Sequence, residues 1–126
     1  MKIIICGAYA IGTHLARLLS RNQEEITVID SDQERLAKIG FDYDLLTLQG
    51  SPTSVKTLKE ANTAAADLFI AVTPDENTNI VCCIMAPALG AKKTVAKVGD
   101  AEYAEAEIKA FYKNRGVDRI IYPEVL

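Results

Sequence analysis

A chain of 126 residues, 49% hydrophobic and 25% charged, has the size and composition of one soluble globular domain, and we expect a single domain over residues 1–126. The net charge of −3 argues against nucleic acid and anionic membrane surfaces as main partners, because both favour basic patches. No apolar run approaches the roughly twenty residues of a membrane-spanning helix, and Met1 leads straight into a short apolar run rather than a signal peptide.

The first thirty residues predict a strand, a glycine turn, a helix and a second strand. Lys2–Cys6 is a short apolar run, as in a parallel strand that is buried on both faces, and Gly7 opens the turn. Helical spacing then predicts a helix whose apolar positions are Ile11, Leu15, Leu18 and Leu19. Residues 26–29 predict the second strand, and Asp30 stands at its end. This order is typical of the opening βαβ unit of a nucleotide-binding sheet.

Four further short apolar runs predict strands at residues 45–49, 67–72, 94–98 and 119–122. Six strands alternating with five helices indicate an α/β fold, a Rossmann-like doubly wound parallel six-stranded sheet with helices on both faces. Right-handed crossovers make 3-2-1-4-5-6 the expected strand order.

Capping signals predict where the second helix begins and ends. Ser31 is predicted as its N-cap, with Glu34 three residues later completing a capping box. This helix is expected to run to Ile39 and to stop at Gly40.

The next two helices are predicted to begin with a hydroxyl residue followed by proline. Ser51 would cap a helix whose first residue is Pro52, and Thr73 would cap one that opens at Pro74, with Glu76 closing a capping box.

Breaker residues set the expected ends of the last two helices. Pro87 should kink or shorten the last turn of the helix that stops at Gly90. The last helix is predicted from Gly99 and Asp100 to about residue 114, with Gly116 beyond it.

Cysteine, histidine and aromatic residues show no catalytic or metal-binding pattern. The three cysteines are expected to be reduced and buried, and His14 to be a solvated surface residue. No Ser-His-Asp, Cys-His or paired-acid arrangement stands out, so we predict that the chain is not an enzyme. Four aromatic residues are predicted to lie in the core or an interface: Tyr103, Phe111, Tyr112 and Tyr122.

The loops that follow the strands are the expected ligand site. In such sheets a ligand lies beyond the carboxyl ends of the strands, at the switch between strands one and four. Each loop leads into a helix N-terminus, whose free amides and positive dipole favour an anion. Asp30 is predicted to accept hydrogen bonds from the ribose hydroxyls of an adenosine, or else to be a simple turn residue. Because Asp32 adds a second carboxylate nearby, NAD or an adenine nucleotide is favoured over NADP.

Tyr9 stands where the middle glycine of G-x-G-x-x-G is expected. Three outcomes are open: the loop bends to hold the ring away, the ring covers the nucleotide, or pyrophosphate no longer fits and a mononucleotide or nothing binds. Ser51 and Thr73 could contact ribose or adenine as well as cap helices. Lys97 could face a phosphate or an acidic partner, or remain a solvated lysine at the end of a strand.

Together these segments resemble the N-terminal nucleotide-binding domain of Trk/Ktr-type potassium-uptake regulators, also called RCK-N. The resemblance covers essentially the whole chain. It rests on residues 2–8, 26–30, 50–51, 67–73, 75–77, 89–98 and 116–124.

The resemblance implies a cytoplasmic regulatory subunit on the inner face of the membrane, bound to a potassium transporter and paired as a dimer or assembled into a ring. It implies NAD or NADH as the ligand, or alternatively ATP, ADP or AMP, whose binding rearranges the paired domains and biases transport. The glycine loop would hold phosphates, Asp30 the ribose, Ser51 the adenosine side, Thr73 and Pro74 the far ribose or phosphate, and Lys97 and Val98 the crevice floor. The predicted cofactor-binding residues are Gly7, Ala8, Tyr9, Ala10, Ile11, Gly12, Asp30, Ser31, Gly50, Ser51, Thr73, Pro74, Lys97 and Val98.

Three positions depart from the family pattern: Tyr9, Lys97 where an arginine is common, and Pro87 in a helix that is usually continuous. Two other interpretations stay open at this point. The chain could be the coenzyme domain of an NAD-dependent dehydrogenase, or a scaffold or oligomerisation module whose nucleotide site has decayed. Since the second, ligand-sensing domain of such regulators does not follow, the chain is expected to be a fragment of a longer regulator.

Overall fold

The computed structural model describes residues 1–39 and 44–123. Its strands are β1 (Lys2–Cys6), β2 (Glu25–Asp30), β3 (Leu46–Gln49), β4 (Leu68–Ala71), β5 (Thr94–Lys97) and β6 (Arg119–Ile121). Its α-helices are α1 (Ala10–Ser20), α2 (Gln33–Ala37), α3 (Val55–Glu60), α4 (Glu76–Ala88) and α5 (Ala106–Lys113), and 3₁₀ turns lie at Thr63–Ala65 and Ala101–Ala104.

The six strands form one sheet in the order β3-β2-β1-β4-β5-β6, and every neighbouring pair is parallel. Both the predicted fold class and the predicted strand order are therefore confirmed. The chain order reverses between β1 and β4, so the carboxyl ends of these two strands flank the crevice where ligands bind in such sheets.

The core has a layer on each face of the sheet, because successive side chains of a strand point to opposite faces. Ile3 and Ile5 of β1 pack on one face, with Ala16 of α1. Ile4 and Cys6 pack on the other, in a cluster that includes side chains of α3 and α4. All five residues of β1 are buried, which explains why this strand reads as a continuous apolar run.

The buried face of α1 differs in part from the predicted one, although Leu15 and Leu19 pack against the core as predicted. Ile11 and Leu18 are 44% and 43% exposed, whereas Gly12 and Ala16 are buried. Small residues face the sheet here because the glycine loop brings the start of the helix close to β1, and a large side chain at position 12 would not fit.

The predicted cap of α2 is wrong by one residue. Asp32, not Ser31, is the N-cap, and its carboxylate accepts a hydrogen bond from the Glu34 amide at 2.8 Å. Asp30 in turn accepts from the Asp32 amide, which turns the chain before the helix begins. The helix ends at Ala37 rather than Ile39, and the predicted stop at Gly40 lies outside the described residues.

The predicted cap of α3 is also wrong, because a β-turn precedes the helix. Ser54 is the N-cap, and its hydroxyl accepts from the Thr57 amide. The Ser54 amide donates to the Ser51 carbonyl at 3.1 Å, which places Pro52 at the second position of the turn, where proline is favoured. Proline therefore marks a turn here, not the first residue of a helix.

A hydroxyl residue followed by proline also precedes α4, and the predicted cap is wrong there too. Asp75 rather than Thr73 is the N-cap. The Thr73 hydroxyl instead accepts from the Asp75 amide at 3.3 Å, so that Thr73 and Pro74 lie in a turn before the helix. Glu76 does not close a capping box: its Oε1 accepts from the amides of Gly99 and Asp100 in the loop after β5.

The helix α4 ends as predicted, just before Gly90, whereas α5 starts later than predicted. Pro87 lies inside the last turn of α4, which ends at Ala88. Asp100 caps a short 3₁₀ turn instead of a long helix, and Glu105 is extended, so α5 starts only at Ala106. Tyr103 in that 3₁₀ turn is buried and packs against Tyr112 with ring centroids 5.7 Å apart.

The remaining side-chain predictions largely hold. The three cysteines are free and buried, and burial raises the pKa of the Cys6 thiol. His14 is exposed. Tyr112 and Tyr122 pack against the core, whereas Phe111 is 40% exposed and lies under the Arg115 guanidinium. Within residues 1–39 and 44–123, no helix is both long enough and apolar enough to cross a bilayer.

Candidate functional site

A cavity of about 230 Å³ lies beyond the carboxyl ends of β1, β2 and β4, at the predicted switch point. Loops after these strands and the starts of α2 and α4 form its walls. The lining residues are Gly7, Tyr9, Ile29, Asp30, Ser31, Arg35, Pro52, Thr73, Pro74, Asp75 and Thr78.

The glycine loop is shaped by close backbone approaches. Gly7 has φ +107°, a conformation that side-chain-bearing residues rarely adopt, and its amide donates to the Ile29 carbonyl at 2.8 Å. A Cβ on Gly12 would lie 1.8 Å from the Gly7 carbonyl oxygen. Gly12 therefore allows α1 to begin directly against the loop, which holds the start of the helix beside the cavity.

Asp30 is buried at the end of β2, only 4% exposed, and its carboxylate organises the loops around it. Oδ2 accepts from the Ala8 amide at 2.8 Å, and Oδ1 accepts from the Asp32 amide at 2.9 Å. The Arg35 guanidinium donates to both oxygens: Nη2 lies 3.0 Å from Oδ1, and Nε lies 3.2 Å from Oδ2. One carboxylate thus joins the glycine loop, the start of α2 and an arginine.

The environment of Asp30 favours its ionised form. Burial raises the pKa of this carboxyl, but the hydrogen bonds from Arg35 and from the Ala8 and Asp32 amides outweigh burial, so its pKa lies below the usual value. The same pairing with Asp30 raises the pKa of Arg35. Both groups are therefore charged at neutral pH.

The stabilisation that Asp30 provides is expected to be lost in acid. Because its pKa is lower in the folded chain than the unfolded value of about 3.9, the carboxylate stabilises the fold above that pH, and the effect disappears as the pH falls through the folded pKa. Urea unfolding of the wild type and of Asp30→Asn should show a difference in unfolding free energy that is constant above about pH 5 and shrinks below about pH 4. A difference that stays constant at lower pH would contradict this assignment.

Tyr9 and Arg35 stack at the edge of the cavity. The centre of the Arg35 guanidinium lies 4.1 Å from the centroid of the Tyr9 ring, and Nη1 of Arg35 pairs with Asp32 at 3.0 Å. The Tyr9 backbone is extended at the N-cap of α1, and its side chain makes no capping hydrogen bond. The ring at the position of the missing glycine is therefore turned towards the Asp30 side of the cavity.

Asn79 joins the loops after β4 and β5, although it was not predicted as a site residue. Its Oδ1 accepts from the amide and the hydroxyl of Thr73, at 3.0 and 2.7 Å. Its Nδ2 donates to the carbonyls of Thr73 and Lys97, at 2.9 and 2.8 Å. The side chain is 1% exposed. The signal that could have revealed it is a polar asparagine on the apolar face of α4, beside Ile80 and Cys83.

The structure brings some of the predicted site residues to the cavity and not others. Six line it: Gly7, Tyr9, Asp30, Ser31, Thr73 and Pro74. The other eight do not: Ala8, Ala10, Ile11, Gly12, Gly50, Ser51, Lys97 and Val98. Ala8 and Gly12 shape the loop, and the Ser51 hydroxyl accepts from the Thr53 amide in the turn before α3. Lys97 contributes its carbonyl to Asn79, while Val98 is buried.

Arg35, Asp75 and Thr78 are lining residues that were not assigned to the site from the sequence. Thr78 donates its hydroxyl to the Asp75 carboxylate at 2.8 Å. Among residues 1–39 and 44–123, no group of three or more His, Cys, Asp or Glu side chains could hold a metal ion. The lining of the cavity carries hydroxyls and charged side chains.

The TrkA-N domain family matches residues 3–123. The chain belongs to the TrkA-N family. This TrkA-N chain is 39% identical, over 128 aligned positions, to the Trk system potassium uptake protein TrkA of Haemophilus influenzae; the alignment covers 100% of the chain and 28% of that protein. It is 32% identical to a TrkA homolog of Methanothermobacter thermautotrophicus, covering 98% of the chain and 55% of that protein. The chain thus spans only part of the length of these relatives.

Solved structures confirm the TrkA-N fold. The TrkA-N domain of the inner membrane protein ybaL from Escherichia coli superposes with a TM-score of 0.80 at 15% identity, over 96% of this chain and 86% of that one. The GsuK channel bound to NAD superposes with a TM-score of 0.78 at 19% identity, over 95% of this chain and 21% of that one. At these identities the likeness concerns the fold.

Proposed function

We propose that this TrkA-N domain is a cytoplasmic regulatory module of a potassium-uptake system and binds NAD(H) or an adenine nucleotide in the cavity at the switch point. The observation that carries the proposal is the buried Asp30 carboxylate at the end of β2, beside the glycine loop and the start of α1. A carboxylate there suits a ribose, and the helix start suits a phosphate.

The relatives and neighbours support the same ligand class. The curated relatives are named as Trk potassium-uptake proteins, and the GsuK channel has been solved bound to NAD and bound to ADP. A potassium transporter in the membrane would be the partner, and the domain would act as a dimer or ring. Nucleotide binding changes such an assembly only if the ligand binds one arrangement more tightly than the other, by a few kcal/mol.

Thermal unfolding with NAD, NADH, ATP, ADP, AMP and NADPH in turn tests this proposal. At about 100 times its dissociation constant, a true ligand should add roughly 2.7 kcal/mol to the stability of the fold. We expect a response to NAD, NADH or an adenine nucleotide and a weaker one to NADPH, because the cavity carries two carboxylates against one guanidinium. No response to any of the six would contradict the proposal.

Two serines provide a matched pair of variants for locating the ligand. Ser31 and Ser51 are both exposed, but only Ser31 lines the cavity. Ser31→Tyr places a ring at the cavity mouth and should abolish the stabilisation by ligand, whereas Ser51→Tyr should leave most of it. The opposite result would place the adenosine beside the turn before α3, where the family resemblance puts it.

A further inference from the structure

The Asp30 carboxylate has no acceptor site left for a ribose. A carboxylate offers about four lone-pair positions. The amides of Ala8 and Asp32 take one on each oxygen, and Arg35 approaches both oxygens through Nε and approaches Oδ1 again through Nη2. A ribose diol can therefore bind only if one of these donors leaves.

Arg35 is the donor that can leave. The two amides belong to the glycine loop and to the turn before α2, so moving either one would disrupt the backbone around the cavity. The guanidinium is at the end of a flexible side chain that is 30% exposed, and the carboxylate of Asp32, its second partner, is more exposed than that of Asp30. Arg35 could thus give up Asp30 and the Tyr9 ring and remain paired with Asp32.

We propose that Arg35 occupies the ribose position on Asp30 and must be displaced by the 2′,3′-diol of the nucleotide. This inference rests on the proposed function and assigns Arg35 the role of a specificity-determining residue. Displacement subtracts from the affinity of every ribose ligand, because the bidentate pair and the stacking on Tyr9 are lost. Removing the guanidinium should therefore strengthen the contact between the diol and Asp30.

The test compares ADP with 2′-deoxy-ADP by calorimetric titration of the wild-type chain and of Arg35→Met. The dissociation constant of 2′-deoxy-ADP divided by that of ADP isolates the ribose contact. Both ligands carry the same phosphates, so any general effect of losing a positive charge cancels in this ratio. We expect this ratio to rise by about tenfold in Arg35→Met, the effect of one strengthened hydrogen bond to a charged acceptor.

Lys38→Met is the matched control, because it also removes one positive charge. Lys38 lies near the end of the same helix and is exposed. Its side chain is not among the hydrogen-bond partners of Asp30. Its ratio should equal that of the wild type. Urea unfolding checks that Arg35→Met is folded, and Arg35→Ala, which also lacks a donor, replaces it if it is not. An unchanged or smaller ratio in the folded variant overturns the displacement by ribose while leaving nucleotide binding intact. Failure of both the wild type and the variant to bind ADP or NAD overturns the proposed function and this inference with it.

Discussion

Replacing Asn79 with leucine is expected to lower the free energy of unfolding by about 3–4 kcal/mol, because leucine fills a similar volume but makes none of the four hydrogen bonds. The amide, hydroxyl and carbonyl of Thr73 and the carbonyl of Lys97 would lose their buried partner. Unfolding in urea, followed by circular dichroism, measures the change.

Asn77→Leu is the matched control for this experiment. Asn77 lies in the first turn of the same helix, is exposed, and takes part in the Asp75 cap only through its backbone amide. It should change the free energy of unfolding by less than about 0.5 kcal/mol. Equal losses of unfolding free energy in the two variants would show that the hydrogen bonds of the Asn79 side chain add nothing to the stability of the fold.

The Asn79→Leu variant also separates the effect of Asn79 on stability from its effect on nucleotide binding. If Asn79 positions the loops after β4 and β5, folded Asn79→Leu at low temperature should bind nucleotide more weakly than the wild type, although Asn79 does not line the cavity. Glu76 is expected to act alongside it, because its carboxylate holds the loop after β5 through the amides of Gly99 and Asp100.

Replacing Gly12 with alanine is expected to destabilise the fold by at least about 3 kcal/mol, at the upper end of overpacking effects. The added Cβ would lie 1.8 Å from the Gly7 carbonyl oxygen and 3.3 Å from a methyl group of Val72, so either α1 or the glycine loop must move. Because the clash is with backbone, no change of rotamer relieves it. Thermal unfolding of the variant measures the loss.

Gly99→Ala is the control, since the nearest atom to its added Cβ is 3.8 Å away, at ordinary contact distance. It should change stability by less than about 0.5 kcal/mol. A Gly12→Ala variant as stable as Gly99→Ala would mean that the start of α1 is not held against the loop, and the amides beside the cavity would lose their predicted role.

The Tyr9 ring lies at the Asp30 side of the cavity. The ring stacks on the Arg35 guanidinium, so Tyr9 and Arg35 act together at the Asp30 side. The middle glycine of the dinucleotide motif lets backbone approach a pyrophosphate. In this chain its replacement, Tyr9, stacks on the arginine that pairs with Asp30, which connects the departure from the motif to the proposed ribose contact.

The amino-acid sequence by itself was enough to predict the sheet, its strand order, the glycine turn and the position of Asp30. These depend on local patterns: apolar runs mark strands buried on both faces, and alternation with helices leaves few possible topologies. The family resemblance followed from the same segments. The strand boundaries were predicted to within one residue for the same reason.

Only the tertiary structure decided how the loops close. Ser31, Ser51 and Thr73 carry a capping signal, but each helix begins later, at the next acid or serine, because a turn intervenes. A hydroxyl before proline suits a turn and a helix start equally well, so local sequence does not distinguish them.

The partners of Asp30 and Asn79 were likewise beyond local patterns. Asp30 contacts Ala8 across 22 residues of chain, and Asn79 reaches the Lys97 carbonyl across 18. A sequence pattern predicts which side chains are polar and near a strand end, but their partners depend on how the loops of neighbouring strands fold over the edge of the sheet. Only the tertiary structure shows that Arg35 completes the hydrogen bonds of the Asp30 carboxylate, because the glycine loop, β2 and α2 must meet around it.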